Sequence, residues 1–254
     1  MKLGLRPLYQ PSGAIYVIAD VQGEAVKLHN LLEKLKTKLK PEDHVVFVGD
    51  LMDGGPDTPG VLKLVQEFIQ YHTNTFILKG NHDEMFRAAV YGNNQNWWLV
   101  NGGTATMKQF EALGIMTIKD VGDWLVEHAI DFVENRLIPY YETEEILVTH
   151  APIPTRIVEN GFPVEEGFLE NLDYRIRWRF EPEEDKPVKG LEGKLLVCGH
   201  QKSHTKVLVP RFYLEHNRIF VDTGAGYNPE APLVCVRVFP LDKIETIWEP
   251  APPY

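Results

Sequence analysis

The chain has 254 residues, of which 44% are hydrophobic and 24% charged, with a formal net charge of -10. The length suits one large α/β domain with a full core over residues 1–254, and the composition excludes a disordered or low-complexity chain. The acidic balance argues against general nucleic-acid binding, which needs a basic stripe to displace counterions from phosphates.

From the N-terminus, "MKLGLRPLYQPSG" shows no apolar leader and no small-residue cleavage site, and the chain has no long apolar run. A cytoplasmic protein without membrane contact is therefore expected. The stretch up to about residue 90 alternates strand and helix: "AIYVIA", "EAVKLHNLLEKLK", "HVVFVG", "TPGVLKLVQEFIQ", "TFILKG" and "DEMFRAAV". Such alternation predicts a mostly parallel sheet with helices on its faces. The basic run "KLKTKLK" at 34–40 falls at a helix end, where it suits the helix dipole as a solvated face. "GGPDTPG" lacks the Lys and Ser/Thr of a phosphate-binding P-loop and reads as a strand-to-helix turn with Asp57 or Thr58 near the cap.

A helical middle is predicted from Thr104 to Asn135, with Trp97 and Trp98 packing it against the sheet. The strand "EILVTH" then ends at His150, and residues 152–193, rich in Pro and charge, predict a surface insertion or lid. "KLLVCGH", "HTKVLVP", "RIFVDTG", "PLVCVRVFP" and "KIETIWE" predict an antiparallel meander beside the first sheet, with no interdomain linker. Cys198 and Cys235 fall within these strands without CxxC spacing, so they read as reduced strand residues.

Residues with metal-ligand chemistry gather where the strands stop: Asp20 and Gln22, Asp50 and Asp53, Asn81 and His82, His150, and His200. One such residue alone would suit a cap or a turn. Five strands ending this way predict convergence, because the ligand crevice of an open α/β sheet lies outside the carboxyl ends of its strands. Mixed oxygen and nitrogen donors suit Mn, Fe, Zn or Ni and lack the thiolates of a structural zinc site.

Read in order, "DVQ", "GDLMDGG", "GNHD", "VTHA" and "CGHQ" resemble the motifs of the metallophosphoesterases, and within them the phosphoprotein phosphatase branch. "NWWLVNGGTATMKQF" and "VDTGAG" are similar to segments of bacterial and phage serine/threonine phosphatases and of diadenosine tetraphosphatases. The resemblance implies a four-layer βαβα sandwich of mixed sheets with flanking helices. It also implies two divalent metal ions, Mn foremost, with Fe, Zn or Ni as alternatives, and a phosphorylated substrate, either phosphoprotein or nucleotide. Carried over by position, Asp50 bridges the metals, Asp20 and Gln22 bind the first, and Asn81, His150 and His200 complete the second. A metal-activated hydroxide would attack phosphorus while His82 protonates the leaving group, with Asp53 holding its ring. Gly80 is expected to let the backbone turn tightly between these residues.

Two positions depart from the family pattern. Gln22 stands in place of a histidine ligand, which predicts a weaker or differently selective first site. Gly54 stands in place of an arginine that would grip phosphate oxygens, and Arg177 and Arg179 in "DYRIRWRF" are the expected substitutes. His204, a conceivable compensating ligand, reads better as a solvated turn residue. A phosphate monoesterase is the leading expectation. A dinucleoside polyphosphate hydrolase or phosphodiesterase is the rival enzyme, and a phosphate-binding regulatory protein is the rival from another class.

Overall fold

The alternation in the first 90 residues folds as its periods dictate. The computed structural model describes residues 8–92, 94–153, 191, 193–201, 210–214 and 217–249. Strands β1 (Ile15–Ile18), β2 (His44–Phe47) and β3 (Thr75–Leu78) pair in parallel, joined by helices α1 (Ala25–Lys36) and α2 (Thr58–Tyr71). Burial of every residue of β1 is the signature of a parallel strand covered on both faces. Helix α1 buries Ala25, Leu28, Leu31, Leu32 and Leu35, the one-sided stripe that a 3.6-residue period produces. Asp57 caps α2 by accepting from Gly60 N at 2.8 Å, with Pro59 early in the helix, so "GGPDTPG" is the expected turn and cap.

Helices α3 (Asn81–Val90), α4 (Gln95–Trp98), α5 (Thr104–Glu111), α6 (Ile118–Glu127) and α7 (Phe132–Asn135) follow. A π-turn at Leu99–Gly103 lies between α4 and α5 and kinks at Asn101 and Gly102. The helical middle thus begins earlier than its periodicity suggests, and α3 starts at Asn81 instead of Asp83. The strands β4 (Leu137–Ile138), β5 (Tyr140–Glu142), β6 (Ile146–Thr149), β7 (Leu195–Cys198), β8 (Arg211–Tyr213), β9 (Arg218–Phe220), β10 (Leu233–Phe239) and β11 (Glu245–Glu249) complete the fold. Strands β4, β5 and β8, of two or three residues each, are not among the elements that the sequence pattern predicts.

Two mixed sheets result, ordered β11-β10-β1-β2-β3-β4 and β5-β6-β7-β9-β8. Because β1 to β4 advance in one direction through right-handed crossovers, their connecting helices gather on one face of the first sheet. The second sheet takes the other face. Ile146, Val148, Leu195, Val197, Ile219 and Val221 join the shared core, while the alternate residues Leu147, Leu196, Cys198 and Phe220 line a small cavity on the opposite side. The late strands are not a simple antiparallel meander: β7 and β9 run parallel to β6, while β5 with β6, β8 with β9, β10 with β1 and β11 with β10 pair antiparallel. Parallel pairing places the ends of β6, β7 and β9 beside one another, as it does for β1, β2 and β3. The buried thiols Cys198 and Cys235 lie in β7 and β10 as expected. Most of the predicted lid, the strand "HTKVLVP" with His204, and Arg177 and Arg179 lie outside the described residues.

Candidate active site

Four of the polar strand-end residues share an unusual backbone. Gln22, Asp50, Asp53 and His200 have φ of 44°, 48°, 65° and 61°, in the left-handed region. That region costs roughly 1–2 kcal/mol per non-glycine residue, so it persists only where the surroundings over-determine it. The β2 and β3 loops provide such surroundings by touching backbone to backbone. A Cβ on Gly49 would lie 2.6 Å from Gly80 N, and a Cβ on Gly80 would overlap Asp50 N and Oδ1. Gly80 itself has an ordinary extended backbone, φ -80° and ψ 166°. It is glycine for close approach to Asp50, not for the tight turn that the motif suggests.

Asp83, the last residue of "GNHD", holds the two loops together. Its buried carboxylate accepts from Asp50 N at 2.7 Å, Leu51 N at 2.8 Å and Gly80 N at 3.0 Å. Burial first, and then the Asp50 charge, push its carboxyl up to about 7, against the pull of the three amides. The sequence does not reveal this role of Asp83, because its partners are backbone amides, two of them on another loop, and carry no residue signature.

Asp50, His150 and His200 each present a ligand atom, and these atoms lie within 4.8 Å of one another. Asn81 begins α3, and its Oδ1 lies 3.0 Å from His150 Nε2, while Asp50 Oδ2 lies 3.5 Å from the same nitrogen. His150 Nδ1 donates to the Val48 carbonyl at 2.9 Å, which leaves Nε2 of a neutral ring as an electron donor. Nitrogen and oxygen donors then converge on one point, the arrangement that a divalent cation takes. Asp20 accepts from His200 N at 3.0 and 3.1 Å and is pushed well above the usual carboxylate range, by burial, then by Asp222 and Asp50. Gln22 is buried, and its Oε1 has no hydrogen-bond partner among the described residues. Buried carboxylates beside an orphaned amide oxygen fit a cationic group. Asp222, beside Asp20, joins these acidic groups; the sequence marks only its segment, "VDTGAG".

Next to this cluster stand His82 and Asp53. His82 Nδ1 meets Asp53 Oδ2 at 2.9 Å. Asp53 in turn accepts from Trp98 Nε1 at 3.1 and 3.2 Å and from Thr106 Oγ1 at 2.5 Å. Burial pulls the imidazole down, but Asp50, Asp53 and Asp83 outweigh it and raise His82 to about 9. Its Nε2 lies 3.4 Å from the hydroxyl of Tyr227, which also takes Gln22 Nε2 at 3.3 Å. Trp98 does pack in the core, edge to face with Phe86 at 5.4 Å, whereas Trp97 is half-exposed. The indole N–H to Asp53 is the part of its role that packing arguments miss. The structure thus brings together Asp20, Gln22, Asp50, Asp53, Asn81, His82, His150 and His200.

Among the described residues no helix is long and apolar enough to cross a membrane. Serine/threonine-protein phosphatase 2 of Escherichia coli (strain K12) is 26% identical over 222 residues, covering 83% of this chain and 87% of the relative. The asymmetrical bis(5'-nucleosyl)-tetraphosphatase PrpE of Oceanobacillus iheyensis is 26% identical over 236 residues, covering 84% and 85%. A solved structure of a protein serine/threonine phosphatase from Saccharomyces cerevisiae matches with a TM-score of 0.60 at 14% identity, covering 96% of this chain and 82% of that one, a likeness of fold. Residues 13–203 match the calcineurin-like phosphoesterase model, a span that opens just before β1 and closes just after His200. The chain belongs to the calcineurin-like phosphoesterase family and is a metal-dependent hydrolase of phosphoesters.

Proposed function

We propose that this chain is a phosphate monoesterase of the serine/threonine phosphatase kind, working with two divalent cations, Mn first among them. The observation that carries this reading is the His82 and Asp53 pair, joined at 2.9 Å and set beside the Asp50, His150 and His200 cluster. In this reading Asp20, Gln22 and Asp50 hold one cation and Asp50, Asn81, His150 and His200 the other. Bound there, the cations supply positive charge against the phosphoryl oxygens and make water a better nucleophile. His82 supplies the proton. Asp53, its second face taken by Trp98 and Thr106, fixes the ring so that Nε2 faces the departing oxygen and favours the imidazolium form. Arg177 and Arg179 belong to the same reading as phosphate contacts, and a cytoplasmic setting agrees with two buried thiols.

A second reading, a dinucleoside polyphosphate hydrolase or phosphodiesterase, draws support from one feature. Gly54, at φ +75°, removes a guanidinium that would favour a dianionic monoester. The test is Mn²⁺-dependent hydrolysis of p-nitrophenyl phosphate beside bis-p-nitrophenyl phosphate, with His82→Ala as the contamination control. Faster cleavage of the monoester is expected. Preference for the diester transfers the assignment to the second reading, and no turnover of either overturns both in favour of a phosphate-binding protein.

A further inference from the structure

The two positions that depart from the family pattern, Gln22 and Gly54, touch each other. A Cβ on Gly54 would lie 3.2 Å from Gln22 Cβ and 3.2 Å from the Gly226 carbonyl oxygen, on a backbone with φ +75°. A Cβ on Gly226 would overlap Gln22 Cβ, and Gly55 N donates to the Gln22 carbonyl at 2.6 Å. Gln22 therefore sits in a slot walled by three glycines. An arginine at position 54 would be strained at that φ and would press on Gln22, so the two departures form one unit.

The end of the slot is the phenol of Tyr227, which accepts from Gln22 Nε2 at 3.3 Å across 205 positions of sequence. Its loop is anchored. Lys27, a buried lysine of α1, donates to the Ala225 and Ala231 carbonyls at 3.0 Å each, and Asp222 Oδ1 accepts from Gly224 N at 2.7 Å. A carboxamide has two nearly isosteric orientations, one offering an oxygen to a cation and the other an NH₂ that repels it. With Nε2 taken by Tyr227, the buried oxygen Oε1 is the atom left to ligate.

We propose that Tyr227 is a positioning residue for the first metal site: by holding the amide nitrogen of Gln22 it presents Oε1 as the ligand where the family has an imidazole. This rests on Gln22 being a metal ligand. It also gives a reason for glycine at 54 and 226, since both make room for a side chain that must lie in one orientation.

The experiment is calorimetric titration of metal-stripped full-length protein with Mn²⁺, in wild type, Tyr227→Phe, Gln22→His and the double variant. Two binding events are expected, and loss of the hydroxyl should weaken the weaker one about tenfold or more, the usual effect of removing a partner that orients a ligand, with the tighter one unchanged. A histidine at 22 needs no phenol to choose its ligating atom. Gln22→His should therefore tighten the weaker event, and adding Tyr227→Phe to it should change the affinity less than about twofold. Tyr227→Phe without effect in wild type, or with equal loss in both backgrounds, overturns the proposal while leaving Gln22 as a ligand. Gln22→His without effect on Mn²⁺ affinity removes Gln22 from the site, and the proposal falls with it.

Discussion

Asp53 accepts three side-chain donors, from His82, Trp98 and Thr106, and is 1% exposed. Satisfied in this way, the carboxylate has one orientation, and so does the imidazole it holds. His82→Ala should lower turnover by roughly 10²–10⁴, the range for loss of a general acid, with bound metal unchanged by mass spectrometry. Loss of metal in that variant would instead make His82 part of the metal site. Asp20, Asp50, His150 and His200 are legible in the sequence because a polar residue closing an apolar run is conspicuous there. Trp98, Thr106, Asp83 and Tyr227 are not, because each acts through a backbone amide or a partner distant in sequence, as Tyr227 does with His82 145 residues away.

At the scale of elements, the site depends on how closely the β2 and β3 loops approach. Gly80→Ala would place a methyl group onto Asp50 N and Oδ1, so one loop must shift. The expected result is destabilisation of about 1–3 kcal/mol, the usual range for overpacking, together with weaker Mn²⁺ binding. Chemical denaturation and calorimetry would check both. Gly193→Ala is the control, since nothing lies within 4 Å of the added Cβ. An unchanged Mn²⁺ affinity in Gly80→Ala would mean that the loops can separate without disturbing Asp50. The parallel start of the first sheet follows directly from its alternating periods. The parallel pairing of β6, β7 and β9 does not, because the sequence between these strands shows no clear helical period that would announce a crossover.

Across the whole molecule, the site joins loops from both sheets and concentrates buried negative charge between them. Asp83 at about 7 and Asp20, also raised, both hold protons in the folded state at pH values where the unfolded chain has lost them. Their contribution to the stability of the metal-free protein is therefore full below the ordinary carboxylate range and should be lost as pH rises toward 7. Saturating Mn²⁺ should reverse that loss, because a ligand that binds only the folded state stabilises it, by about 2.7 kcal/mol at a hundredfold excess over Kd. Melting temperatures at pH 5 and 7, with and without Mn²⁺, measure both effects. A metal-free protein whose melting temperature rises over that interval would show that these carboxyls are not held neutral by the fold.

One consequence of the Trp98 contact is optical. A wholly buried indole whose N–H ends on the carboxylate that steadies His82 emits from beside the proposed proton donor; Trp124, 6% exposed, is buried as well, whereas Trp97 and Trp248 are partly exposed. With Trp124 replaced by Phe, the blue edge of the protein's fluorescence becomes a built-in reporter of charge at His82, readable without any attached dye.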